Sequence, residues 1–169
     1  DTRISIDDTW EAVVGSARFL YEIAPGSTNL FGGISQGFRA PNLSDLSRFD
    51  SARSNEFEIP APDLDPEYYT SFELGVKTRS DTWSSQVALF HTLIRDQILR
   101  FPTGNTNSSD EVEVTKDNVG NGSVEGIEAG AACRITERWT AFGNATYLRG
   151  KHSTYPTSAA VLEDEYLDR

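Results

Sequence analysis

The chain has 169 residues, 37% of them hydrophobic and 24% charged, and a formal net charge of −11. That acidic balance argues against nucleic acid as a partner, because phosphate binding is driven by clustered Lys and Arg. One cysteine, Cys133, excludes an internal disulfide, and no apolar run approaches the roughly 18 residues of a transmembrane helix.

Residues 1–8 are charged and read as the end of a loop. Trp10 to Ile23 reads as a first strand, with mixed alternation around Val13 and Val14. A short turn from Ala24 to Thr28 follows, marked by the breaker pair Pro25-Gly26. Asn29 to Phe38 is a second strand, with Leu30, Ile34 and Phe38 on one side and Gly33, Ser35 and Gly37 on the other.

Arg39 to Pro66 is a polar connection too long for a compact soluble domain unless it is functional. Within it, Pro41 to Arg48 predicts one or two helical turns, with Asn42 or Ser44 as cap and Leu43 and Leu46 at helical spacing. The strand from Glu67 to Arg79 alternates strictly. Tyr68, Thr70, Phe72, Leu74 and Val76 share one face, while Tyr69, Ser71, Glu73, Gly75 and Lys77 share the other.

After the tight connection Ser80 to Thr82 comes the longest and most apolar strand, Trp83 to Leu99. Arg100 to Lys116, rich in Asn, Ser, Thr and Gly, reads as a second long connection. Two more strands, Asp117 to Ile135 and Trp139 to about Gly150, flank a turn at Thr136 to Arg138. The tail from Lys151 to Arg169 reads as the start of another long loop.

The connections thus alternate short and long, as in outer-membrane barrels, whose strands alternate and scarcely register in an average; the mean hydropathy of −0.45 is compatible with one. Trp83 and Trp139 each follow a short turn and would mark an inner aromatic girdle. Phe38, Tyr68, Phe101 and Tyr147 would mark the outer one.

Several stretches also carry a family resemblance. They are GFRAPNLSDL from Gly37 to Leu46, LDPE from Leu64 to Glu67, FELGVK from Phe72 to Lys77, ALFHTLIRDQI from Ala88 to Ile98, NVGNGSVEGIE from Asn118 to Glu128 and WTAFGNATY from Trp139 to Tyr147. In this order they resemble the barrel domain of TonB-dependent outer-membrane receptors. The resemblance implies an all-β fold, an antiparallel meander of about six long strands forming part of a transmembrane β-barrel of about 22 strands.

Residues 1–169 would then be part of a barrel domain without its plug or TonB box. The implied function is uptake of a scarce ligand (siderophore-iron, haem, cobalamin or an oligosaccharide) across the Gram-negative outer membrane. Its partners would be the TonB complex through the plug, the surrounding outer-membrane lipid and the imported small molecule. Phe38 to Pro41 and Pro62 to Leu64 resemble the paired boxes of the haem receptor branch, but no histidine lies from Asn42 to Ala61, which argues against haem. The contrasting reading is a soluble extracellular β-sandwich that binds carbohydrate or protein.

No catalysis and no cofactor are expected. His91 and Asp96 share a strand among many serines, but no Gly-x-Ser-x-Gly is present. No metal is expected either. His152 has no ligand partner at zinc spacing, and the acidic residues of the long connection do not follow a calcium loop. The candidate ligand-binding positions are Arg39, Asn42, Arg48, Arg53, Tyr69 and Glu73, in the loop or on the lumen face. For Arg39 the competing role is pinning the loop base through a carboxylate such as Asp45. Lys77 and Glu128 share the inward polar face with Glu73.

Overall fold

The computed structural model describes residues 8–53 and 55–153. Its elements in chain order are β1 (Ser16–Ala24), β2 (Thr28–Arg39), α1 (Leu43–Ser47), β3 (Asp50–Arg53), β4 (Glu56–Glu58), β5 (Glu67–Arg79), β6 (Trp83–Thr106), β7 (Val112–Arg134) and β8 (Thr140–His152). The long strands β1, β2, β5, β6, β7 and β8 form a single antiparallel meander in which each pairs with its neighbours in chain order. Sheet-forming period-two sequence and tight turns explain this topology. Gly26, at a φ of 70°, closes β1 onto β2, and the Thr136 hydroxyl accepts from the N–H groups of Arg138 and Trp139 in the β7–β8 turn.

Three boundaries differ from the expectation. β1 starts at Ser16, because Trp10 leaves the sheet and donates its indole N–H to the Leu64 carbonyl at 3.2 Å. The connection expected from Arg100 to Lys116 shrinks to residues 107–111, since β6 runs on to Thr106 and β7 begins at Val112. The Asn107 side-chain oxygen closes that turn by accepting from the N–H groups of Ser109 and Glu111. Finally, the 39–66 connection holds two short strands besides the expected helix. β4 pairs in parallel with β7 at Val112–Val114. The expected loop ends, residues 1–7 and 154–169, lie outside the described residues.

The sheet is one layer. Cross-strand register puts Phe72 beside Ile34 and His91, and Leu74 beside Gly32 and Leu89, on one continuous face. On that face Phe72 is 42%, Leu74 50% and Leu89 55% exposed, so nothing among the described residues covers it. A sandwich would bury this row beneath a second sheet about 10 Å away. The opposite face carries Arg18, Glu73, Lys77, Gln86, Glu128 and Asn144, and its lower part lines an open polar hollow of about 780 Å³. Gly75 and Gly126 are required on this inward face, where a Cβ would strike the rings of Phe31 and Phe90 on the neighbouring strands.

Trp83 and the Trp139 side fall at the short-turn end of the sheet, while Phe38 and Tyr68 pair directly at the other end. Phe101 and Tyr147 depart from the girdle expectation: Phe101 is half-buried within β6, which continues past it, and Tyr147 lies level with Leu74 through Ile127 and Leu89, because β8 runs on to His152.

Candidate functional site

At the long-connection end, residues 40–66 fold back as a cap over the rim of β5, β6 and β7. Leu46, Ala61 and Leu64 form a small buried core, with Trp10 and Ile98 packed against it. α1 begins with a reciprocal capping box. The Asn42 side chain accepts from the Asp45 N–H at 3.0 Å, and Asp45 Oδ2 accepts from the Asn42 N–H at 3.1 Å.

Beneath this core runs a continuous line of charges. Arg39, the last residue of β2, donates through Nε and Nη2 to the two Glu67 carboxylate oxygens at 2.8 and 2.7 Å, and through Nη1 to Asp45 at 2.9 Å. The planar fork of arginine suits this bidentate geometry. Glu67, 3% exposed, also accepts from the Ile98 N–H at 2.9 Å and from the Tyr69 hydroxyl.

Lys116 of β7 continues the line, with Nζ 3.0 Å from Asp45 Oδ1, 3.0 Å from the Ser44 carbonyl and 3.3 Å from Glu58. Glu58, only 1% exposed, also meets Arg100 at 3.0 Å and Arg48 at 3.5 Å. Three carboxylates and four cations therefore alternate, so each acid of this line has a partner of opposite sign. Burial pushes the Asp45 carboxyl up, but the Asn42 N–H and the cations Arg39 and Lys116 outweigh it and hold the group below the usual carboxylate range.

A second clamp lies beside the first. Asn118 of β7 donates through Nδ2 to the carbonyls of Asp65 and Asp96, both at 2.8 Å, and its oxygen accepts from the Asp65 N–H at 2.8 Å. Asp96 sits at a φ of 56°, in the irregularity where the β6–β7 register shifts between Ile94 and Gln97. The bulge thus presents the carbonyl that Asn118 binds.

Of the positions singled out by sequence, the structure gathers Arg39, Asn42, Arg48 and Tyr69 into this network. Arg39 pairs with Asp45 as foreseen, and with Glu67 as well. Glu73 stands apart on the inward wall between Gly33 and Phe90. The backbone of Arg53 ends β3 opposite Glu56, and its side chain lies outside the described residues. Sequence reasoning passed over Glu58, Lys116, Arg100 and Asn118. Among the described residues no group of three or more His, Cys, Asp or Glu is arranged to hold a metal.

The network's geometry suits shape-holding rather than bond-making. Its acids are paired with cations across separate elements, which ties the cap to the strand ends. The family model for the TonB dependent receptor-like β-barrel matches residues 1–169. No curated protein matches the sequence.

Among solved structures, the siderophore receptor PirA from Pseudomonas aeruginosa aligns at a TM-score of 0.65 and 19% identity over 82% of this chain and 28% of that one. The copper transporter OprC aligns at 0.62 and 22% identity, over 82% of this chain and 20% of that one. The chain therefore spans a quarter or so of the length of these structures, which share its fold. With one uncovered apolar face, one polar face and a family match end to end, the chain belongs to the TonB-dependent receptor-like β-barrel family.

Proposed function

We propose that this chain is a sector of the wall of an outer-membrane receptor of about 22 strands, which captures a scarce ligand and imports it when energised through TonB. The reading rests on one observation: a single-layer sheet with an uncovered apolar face backed by a polar one. In lipid such a sheet is stable only when its edges are closed by further strands, which the remainder of the barrel supplies. The long-connection end then faces outward, and the cap forms part of the receptor's mouth.

The ligand belongs to the siderophore-iron, haem, cobalamin or oligosaccharide class. Arg39, Asn42, Arg48 and Tyr69 serve it by fixing the cap. Glu73 faces the lumen, where it meets plug or ligand. Arg53 remains a loop candidate.

Single cysteines test the orientation in the intact receptor carrying Cys133→Ser. A fluorophore at Leu74→Cys is quenched by a lipid-borne quencher, whereas one at Glu73→Cys is not. Equal quenching at both positions removes the membrane reading. Uptake of ferric chelates, cobalamin and oligosaccharides that persists without a proton-motive force would mark a passive pore instead.

A further inference from the structure

Charge on the lipid-side face is confined to one corner. The row Leu74, Leu89, Ile127, Tyr147 and the row Val76, Val87, Ala129, Ala145 contain no ionisable group except the Tyr147 phenol, and β2 and β5 place no charged side chain on this face at any level. One row higher, His91 pairs in register with Glu125 and Glu125 with Arg149. Higher still on the same face come Lys151, opposite Ser123, and Arg95, opposite Tyr68. The contact of His91 Nδ1 with Glu125 at 3.5 Å fixes the common side.

In a chain of net charge −11, these rows hold three permanent cations against the Glu125 carboxylate, with the exposed Asp96 following Arg95 in the bulge. Arg95, Arg149 and Lys151 are all exposed.

Their height is the second observation. From Trp139 to Arg149 the chain advances ten residues, about 33 Å along the strand or about 25 Å in height at the usual barrel tilt. That is the thickness of the apolar band of such barrels, so the cations stand where hydrocarbon gives way to headgroups. Positive side chains cost several-fold less there than at the midplane and can bind phosphate by charge-assisted hydrogen bonds.

We propose that Arg95, Arg149 and Lys151 form a binding site for the phosphate of an anionic lipid headgroup, with Phe38 and Tyr68 flanking it on the β2 and β5 side. Glu125, in register with Arg149 and 3.5 Å from His91, limits the affinity as the opposing charge in this corner. This site rests on the membrane reading above. Failure of lipid quenching at position 74 removes both, whereas a lost headgroup preference with quenching intact removes only this one.

Native mass spectrometry of the intact receptor, equilibrated with equal phosphatidylglycerol and phosphatidylcholine, reads the preference directly. Wild type retains phosphatidylglycerol roughly tenfold over phosphatidylcholine. The combined Arg95→Gln, Arg149→Gln and Lys151→Gln variant falls to within about twofold of parity, while Glu125→Gln alone raises the preference by about twofold or more. An unchanged preference in the triple variant overturns the site, as does displacement of the lipid by about 10 mM inorganic phosphate, which would mark a soluble-anion site. If the triple variant does not assemble, Glu125→Gln decides, and no rise overturns the proposal.

Discussion

The wall and the cap of this chain are built on opposite principles. Across the wall, Phe72, Leu74 and Leu89 are half exposed and no layer among the described residues covers them, so the side chains gain nothing from a protein core there. The backbone ladders between consecutive strands hold it together, and the surrounding medium completes it. The cap resembles a small soluble domain: Leu46, Ala61 and Leu64 are buried together, and Glu58 and Glu67 are almost wholly enclosed among cations. Polar groups in the wall are arranged by face, whereas those in the cap are arranged by partner. A substitution is therefore felt in the wall mainly through facing and in the cap mainly through lost pairing.

The largest expected difference comes from Glu58→Ala. It strips Arg48, Arg100 and Lys116 of a shared carboxylate that is 1% exposed, a loss of about 3–5 kcal/mol for the cap. Hydrogen exchange of the intact receptor checks it: protection should collapse across residues 39–66 and persist in β5 below Ser71. Uniform loss through both regions would erase the distinction between them.

Smaller, but more discriminating, is the pair Leu46→Ala and Leu74→Ala. The first opens a cavity in the cap core and should cost about 2–4 kcal/mol of local stability. The second removes an uncovered side chain and should cost under about 1 kcal/mol. Comparable protection losses from both would mean that something packs on Leu74 after all.

Acidification sharpens the comparison most gently. The Asp45 carboxyl is held below its ordinary value, so its contribution to the cap is fully present above about pH 4 and fades as pH falls through the depressed folded value. Proteolysis near α1 should rise below about pH 4 while the β5–β6 ladder stays protected, and Asp45→Asn should weaken that pH dependence, leaving the part carried by Glu67, whose carboxyl is also held low.

The difference between the regions also sets how much was legible in the sequence. The wall was readable where period two survives, most plainly in β5: Tyr68, Thr70, Phe72, Leu74 and Val76 announce both the strand and its facing. The cap was readable only locally. Asn42 signalled the start of α1, and Arg39 with Asp45 a clasp at the loop base, because these partners lie close in the chain. Glu58 with Arg100, and Asp65 with Asn118, are 42 and 53 residues apart, and no local pattern joins them.

One signal was present and passed over. Glu111 to Lys116 alternates acid, valine, acid, valine, threonine, lysine, which is a strand pattern hidden by its polar neighbourhood. Reading it would have shortened the second connection and exposed Val112–Val114 as the edge that β4 joins. Trp10 misled for the opposite reason, since an aromatic at the head of an apolar run looks like a strand start but here caps the loop core.

The parallel pairing of β4 with β7 gives the order β1-β2-β5-β6-β7-β4-β3, so the first connection reaches past two strands to grip the second hairpin. The two projections are thereby tethered like a strap buckled to the far post. Neither can swing aside independently: widening the mouth at this sector either carries both along as one body or first unzips Glu56 to Glu58 from their track.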